Sequence, residues 1–412
     1  MRASTTTTTT PLVLSVLAVA LYAVRVRHLR TPARRGVGLD DDFRDAHFAL
    51  VARFLALPQL VSLRAVSRRF RRLADASLSA LGSFDDVANG VKATDAFLHA
   101  LAARCPRLRR LSVCSHSRIS DAGLSAFTRH GDLCSVSLSN QAAVTDEGLQ
   151  LVVDSRTTSL ALSNLRRVTE RGLAGVAAGR MRELVLERLR LLNLEALQPV
   201  LFTASLASLA LQSFTRVDTA ALLKDCSGLH TLNLSSSTFV QGNLVLSADT
   251  TSLRVFAANY ALDLTDADVE RVLEANRGLR AVSLNGAEFI SDATLDAIAH
   301  YVGATVEHVN VSQTCVSAAG LVAMAVRCPL LRALFFGGTL VDDAGLEQLA
   351  GTAPQLRELG CSRCPLVTRG GLARALGSGG FPLLERLWTT AAGGDAPWQL
   401  RAGVRVVGAW AL

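Results

Sequence analysis

The feature that most constrains this chain is a phrase that returns about every 25 residues, Leu-x-x-Leu-x-Leu followed shortly by Val/Ile-Ser/Thr-Asp-x-Gly-Leu. Its cleanest copy runs Leu133-Cys-Ser-Val136-Ser-Leu138, then Val144-Thr145-Asp146-Glu147-Gly148-Leu149. With the middle apolar residue as a marker, the copies fall at Leu111, Val136, Leu160, Leu184, Leu209, Leu232, Phe256, Val282, Val309, Leu334, Leu359 and Leu387. Each copy has two halves with different periods.

In the first half the apolar residues alternate, so Val136 and Leu138 face a core while Ser135, Ser137 and Ser139 face out of a sheet. The second half starts a helix. Thr145 can act as N-cap, Asp146 sits in the first turn where the helix dipole favours negative charge, and Val144 and Leu149 can form a hydrophobic staple. Related starts stand at Ile119-Ser-Asp-Ala-Gly-Leu124, Val168-Thr-Glu-Arg-Gly-Leu173, Ile290-Ser-Asp-Ala-Thr-Leu295, Val316-Ser-Ala-Ala-Gly-Leu321, Val341-Asp-Asp-Ala-Gly-Leu346 and Val367-Thr-Arg-Gly-Gly-Leu372. One strand and one short helix cannot bury their own apolar faces, so the units must stack. The expected fold is α/β: a right-handed leucine-rich-repeat solenoid of about twelve strand-helix repeats with a parallel sheet on its concave face.

Charge excludes one function class. The chain of 412 residues carries a formal +8. Residues 1 to 75 hold 13 Lys/Arg against 5 Asp/Glu, and the remainder holds 30 of each. The repeat body is neutral overall, so nucleic acid is not an expected partner, because phosphate binding needs a basic face. The eight cysteines are spread through the repeats rather than gathered into end caps. Cys361 takes an inward position and Cys105 and Cys328 precede prolines at helix ends, places for small buried apolar residues. That usage implies reduced thiols and a cytoplasmic chain. Cys361-x-x-Cys364 lacks a second pair or a His-x-x-x-His, so it reads as structural and no metal or cofactor is expected.

Residues 1–35 form a leader: a threonine run, Thr5 to Thr10, an apolar stretch from Leu12 to Val24, then Arg25, Arg27, Arg30, Arg34 and Arg35. Three readings are open. A signal anchor with the arginines on the cytosolic side would use residues 5–24 for membrane association and tether the rest to a cytosolic membrane face. An arginine-rich, acid-free transit peptide is the second, and a cleaved secretory signal or a structureless leader the third. Residues 36–42 read as a linker.

The segment 43–80 carries apolar residues at helical spacing, Phe48, Val51, Phe54 and Leu55, then Leu60, Leu63, Val66, Phe70 and Leu73, broken at Leu57-Pro58. Two or three short amphipathic helices follow from this. Their plain role would be a polar cap over the raw end of a solenoid. The segment also resembles an F-box. Val51-Ala-Arg-Phe-Leu55 stands at the family's Ile-x-x-x-Leu, Leu60 to Val66 at its central apolar helix, and Val66-Ser-Arg-Arg-Phe70 at its Val-x-x-x-Trp/Phe, while Phe43-Arg44 replaces the opening Leu-Pro. With the repeats behind it, the chain resembles F-box/leucine-rich-repeat proteins of the cysteine-containing subtype, substrate receptors of SCF-type ubiquitin ligases. The resemblance implies a non-catalytic subunit whose F-box binds the Skp adaptor, and through it a cullin scaffold. It assigns adaptor binding to Phe43, Val51, Phe54, Leu55, Leu60, Leu63, Val66 and Phe70.

A target protein is expected on the concave face of a solenoid spanning 81–390. The residues flanking the inward strand positions are mostly small and polar, which offers hydrogen bonds but little anchor area. Phe335 and Trp388 are the exceptions, and aromatic anchors dominate interface energy. The candidate target-binding residues are Glu183, Glu187, Asn259, Asn285, His308, Asn310, Phe335, Glu358 and Trp388. A second placement is open for Trp388, under a tail at 391–412 that holds Val404, Val406 and Val407 as strand residues. No phosphate loop or nucleophile motif is present, and Asp146, Asp266 and Asp292 read as caps and first-turn charges rather than catalytic groups. A non-ligase interaction scaffold, membrane-tethered or not, is the alternative reading. An extracellular protein would carry glycans at Asn233-Leu-Ser235 and Asn310-Val-Ser312.

Overall fold

The computed structural model describes residues 81–390, apart from short breaks at 88–90, 115–116, 129–131, 177–179, 197–201, 204, 241–243, 247–249 and 378, together with 404–407. The leader, the linker, the F-box-like segment with its adaptor-binding candidates, and most of the tail lie outside the described residues.

Fourteen parallel strands form one sheet in strict sequence order. They are β1 (Ser83–Asp85), β2 (Arg110–Val113), β3 (Ser135–Ser139), β4 (Ser159–Ser163), β5 (Glu183–Glu187), β6 (Ser208–Gln212) and β7 (Thr231–Asn233). There follow β8 (Val255–Ala257), β9 (Ala281–Ser283), β10 (His308–Asn310), β11 (Ala333–Phe335), β12 (Glu358–Gly360), β13 (Arg386–Trp388) and β14 (Arg405–Val407). All twelve markers lie on these strands in a single register, from Leu111 opposite Val136 to Leu359 opposite Leu387. Each is at most 1% exposed. A leucine-rich-repeat solenoid is the architecture that the periodicity demands.

Two strands extend the sheet beyond the twelve expected. β1 precedes the first marker and pairs with β2, burying Phe84. At the other end Arg405–Val407 of the tail adds to the sheet beside β13, continuing it by one strand.

Among the described residues helices close most repeats on the far side, including α1 (Asp95–Arg104), α2 (Asp121–Leu124), α3 (Asp146–Gln150), α4 (Thr219–Leu222), α5 (Asp266–Ala275), α6 (Asp292–Ala297), α7 (Ala318–Arg327), α8 (Asp343–Thr352) and α9 (Arg369–Gly377). Their starts correct the expected role of the aspartates. Asp146, Asp266 and Asp292 do sit in first turns, but each carboxylate reaches forward to the next repeat. Asp146 accepts the Thr169 N–H at 2.7 Å and its hydroxyl at 2.6 Å. Asp266 holds Ser291 in the same way at 2.9 and 2.6 Å, and Asp292 holds Ser317 at 2.7 and 2.6 Å. Asp95 with Ser120, Asp121 with Thr145 and Asp343 with Thr368 complete the series. Thr145 is the N-cap residue of α3 without making a side-chain cap bond, and its hydroxyl donates to Asp121.

The glycine of the motif follows from the same contact. A Cβ on Gly123, Gly148, Gly320 or Gly371 would stand under 3.0 Å from the aspartate of the preceding repeat. The phrase Ser/Thr-Asp-x-Gly thus encodes a join between repeats as well as a helix start.

A second column joins the repeats at the ends of the strands. Asn140, Asn164, Arg188, Ser213, Ser236, Tyr260, Gln313 and Arg363 all take positive φ between 50° and 61°, as Gly286 and Gly338 do at 71° and 74°. That left-handed corner turns the N–H onto a carbonyl of the next strand, as from Asn140 to Ser163 and from Gln313 to Gly337. Among the described residues no helix is long and apolar enough to cross a membrane.

Candidate functional site

The small residues of the middle strands leave room on the concave face, and a hollow of about 450 Å³ opens there across β8 to β13. It is lined by small residues such as Ala281, Ser283 and Gly337 and by the larger Val255, His308, Asn310, Phe335 and Trp388. Six sequence candidates meet in it: Asn259, Asn285, His308, Asn310, Phe335 and Trp388.

The aromatic wall has a local cause. Phe335, Gly360 and Trp388 stand in one register row on β11, β12 and β13. Gly360 has no side chain to separate the rings, and a Cβ there would collide with Phe335. The two rings therefore meet over the glycine at 5.2 Å between centroids, tilted by 56°, a favourable geometry for an aromatic pair. Trp388 is only 7% exposed, yet it lines the hollow, and in the sheet register it stands opposite Val407 of β14. The Arg386 guanidinium lies 5.7 Å from the centre of the Trp388 ring.

Polar groups set the rest of the wall. Asn259 Oδ1 accepts from Ser283 Oγ at 2.7 Å and from the Asn285 N–H at 2.9 Å. Asn285 in turn donates through Nδ2 to the Tyr260 hydroxyl at 3.0 Å. Asn310 Oδ1 takes the Ser312 N–H at 3.1 Å. Two buried atoms at the wall, Asn285 Oδ1 and Ser362 Oγ, have no hydrogen-bond partner. Leaving such a group unpaired costs about 1–3 kcal/mol.

Glu183, Glu187 and Glu358 do not join the hollow. Glu358 forms an ion pair with Arg386 on the neighbouring strand. Glu183 and Glu187 lie on β5, where they accept from Ser159 and Ser163 hydroxyls at 3.0 and 2.8 Å. Gln313 and Arg363, which do line it, escaped the sequence reading. Their signal was the column of left-handed corners, legible at Asn140 and Asn164 but masked where Arg or Gln fills the same position.

The paired cysteines lie behind the wall. Cys361 and Cys364 are buried, and Cys364 Sγ hydrogen-bonds the Phe336 carbonyl at 3.4 Å. Burial pushes the Cys361 thiol up to about 12, against a smaller opposing effect from the Thr389 hydrogen bond. Among the described residues no group of three or more His, Cys, Asp or Glu is placed to hold a metal.

No protein-family profile matches the sequence. No curated protein matches it either. Similar solved structures do exist. The yeast Rad7 and Elc1 complex contains a chain similar over 99% of this chain and 98% of its own, at 15% identity and a TM-score of 0.53. A TLR13–ssRNA13 complex is similar over 81% of this chain and 52% of its own, at 12% identity and a TM-score of 0.46. The mouse RP105/MD-1 complex is similar over 71% and 44%, at 15% identity and a TM-score of 0.37. At these identities the likeness is one of fold.

Proposed function

We propose that this chain is a non-catalytic recognition subunit, holding a target protein on its concave face and serving as the substrate receptor of an SCF-type ubiquitin ligase. The observation that carries the first half is the hollow itself: a paired aromatic anchor, Phe335 and Trp388, set among hydrogen-bonding groups on a face that is otherwise small and polar. Buried aromatic anchors inside a polar surround are how protein interfaces concentrate their energy. The second half rests on the F-box resemblance of residues 43–76, which would bind the Skp adaptor and bring a cullin scaffold. Such a receptor needs no chemistry of its own. Holding adaptor and target on one chain raises the effective concentration of target lysines near the charged enzyme.

The test is capture of purified Skp adaptor by the full chain, beside a chain lacking residues 43–80 whose circular dichroism shows the repeats still folded. Adaptor held by the full chain alone is the expected result. Folded full chain that captures none removes the ligase assignment and leaves an interaction scaffold.

A further inference from the structure

We infer that the hollow takes an acidic, apolar-anchored stretch of a protein partner: an aromatic or long aliphatic side chain against Phe335 and Trp388, with a neighbouring aspartate or glutamate turned toward Arg363. The inference rests on the reading of this face as a protein-binding surface and specifies which protein segments fit it.

Charge carries the argument. No aspartate or glutamate lines the hollow, whereas Arg363 and His308 do. Along the strand starts beside it run Arg254, Arg280, Arg332 and Arg357 against Glu307 and Glu385. The acids there are already engaged. Glu307 is bridged by Arg280 at 3.7 Å and Arg332 at 3.0 Å, Glu385 takes Arg357 at 2.6 Å, and Glu358 takes Arg386. Arg254 and Arg363 are exposed and form no ion pair among the described residues, one at each end of the strands. The sequence from residue 76 onward is neutral in sum, so this excess is local to the hollow. A segment rich in lysine or arginine would meet unopposed cations, and a purely apolar one would leave Arg363 unused.

Size agrees. Six strands at about 4.8 Å spacing open roughly 24 Å of face, the length of about seven residues of extended chain. The backbone of such a chain supplies N–H and C=O groups to the polar wall, while one side chain reaches the aromatic pair.

The experiment selects random phage-displayed dodecapeptides on the immobilised full chain, then measures the best binder by fluorescence anisotropy against Arg363→Glu, Arg254→Glu and Phe335→Ala. The expected peptides pair an aromatic or aliphatic residue with Asp or Glu. Arg363→Glu weakens them about fivefold, Phe335→Ala about 30-fold, and selection repeated on Arg363→Glu moves toward Lys and Arg. Arg363 and Arg254 are exposed, so those variants keep the fold. Peptides that depend on Phe335 but carry no acidic enrichment, or ignore Arg363→Glu, overturn the inference and leave the protein-binding reading standing. Selection that yields no binder sensitive to Phe335→Ala overturns both.

Discussion

Replacing Asp292 with alanine tests whether the aspartates join repeats or merely start helices. The carboxylate accepts two hydrogen bonds from Ser317 in the next repeat, at 2.7 and 2.6 Å, and both partners are half-buried. A hydrogen bond to a charged group contributes about 1.5–3 kcal/mol. Water reaches a half-buried site and recovers part of that, and Ser317 Oγ keeps its bond from the Gly320 N–H at 3.2 Å. The net loss is therefore about 2 kcal/mol for the pair, to which the first-turn dipole effect adds about 0.5 kcal/mol. Asp296→Ala is the control, because Asp296 lies on the same helix but is exposed, and such surface changes stay within about 0.5 kcal/mol.

Whole-chain melting would dilute the effect, since a solenoid's stability is a sum over repeats and their interfaces. Hydrogen exchange followed by mass spectrometry resolves it. Peptides across 291–302 and 317–327 should lose protection about 70-fold in Asp292→Ala, the factor that about 2.5 kcal/mol implies, while peptides of β2 to β4 keep theirs. A double-mutant cycle with Ser317→Ala should return a coupling of about 1–2 kcal/mol. If Asp292→Ala and Asp296→Ala exchange alike, the join contributes nothing and the aspartate is only a first-turn charge.

Three further outcomes are expected. Burial raises the Asp343 carboxyl, but the Thr368 hydroxyl and N–H and the nearby Arg374 together outweigh it and hold the group below the usual carboxylate range. Its stabilising share is then complete above the ordinary carboxylate pKa and lost as pH falls through the depressed value, so Asp343→Asn should flatten part of the acid limb of stability against pH in urea unfolding. Gly360→Ala forces the Phe335 ring off Trp388 and should cost about 1–3 kcal/mol with a shift in tryptophan emission, whereas unchanged emission would mean the ring pair is not held by the glycine. Burial pushes the thiols of Cys105 and Cys328 to about 11 and of Cys226 to about 12, so a disulfide reagent at neutral pH should spare these three and modify exposed Cys315, a pattern that denaturant should abolish.

How far the sequence could be read depended on whether a residue's partner was local. The strands were legible because each marker leucine is buried by its own alternation, and the neighbouring repeat only repeats the instruction. β1 carries only the opening of the phrase, Leu81-x-x-Phe84, with Asp86 where the next inward apolar residue would stand, so the copy is easily missed. The aspartates were misjudged because capping explains Asp146 within one turn, and a sufficient local account hides the partner more than twenty residues on. Gly148 and Gly320 held the missing clue, since glycine is a poor helix former and has no place in a first turn unless something must approach its backbone. The polar part of the hollow failed for a related reason. Arg363 and Gln313 belong to a column defined by backbone conformation, where Asn and Gly advertise the left-handed corner and Arg or Gln do not.

The two columns bear on binding as well as on folding. The hollow lies on β8 to β13, and behind those strands the aspartate joins run from Asp266 to Ser291 and from Asp292 to Ser317, then resume from Asp343 to Thr368. One join is absent between them. Ala318 stands where the helix starts at 266, 292 and 343 carry aspartate, and the next helix caps itself, Asp342 accepting the Gly345 N–H at 2.8 Å. That missing join lies between the repeats of β10 and β11, at the middle of the hollow and beside Phe335. The left-handed corners bridge it on the other side, with the Gln313 N–H bonded to Gly337 at 2.7 Å. A surface held on both flanks and tied on only one at its centre keeps most of its shape before a partner arrives, which lowers the ordering cost of binding. Ala318→Asp would meet Gly345 with its carboxylate and put an acceptor within reach of Asp342 rather than of a serine or threonine, adding like-charge repulsion instead of a join. The repeat at the centre of the hollow thus lacks the aspartate join of its neighbours, and the pairing of β10 with β11 and the strand-end corners hold it.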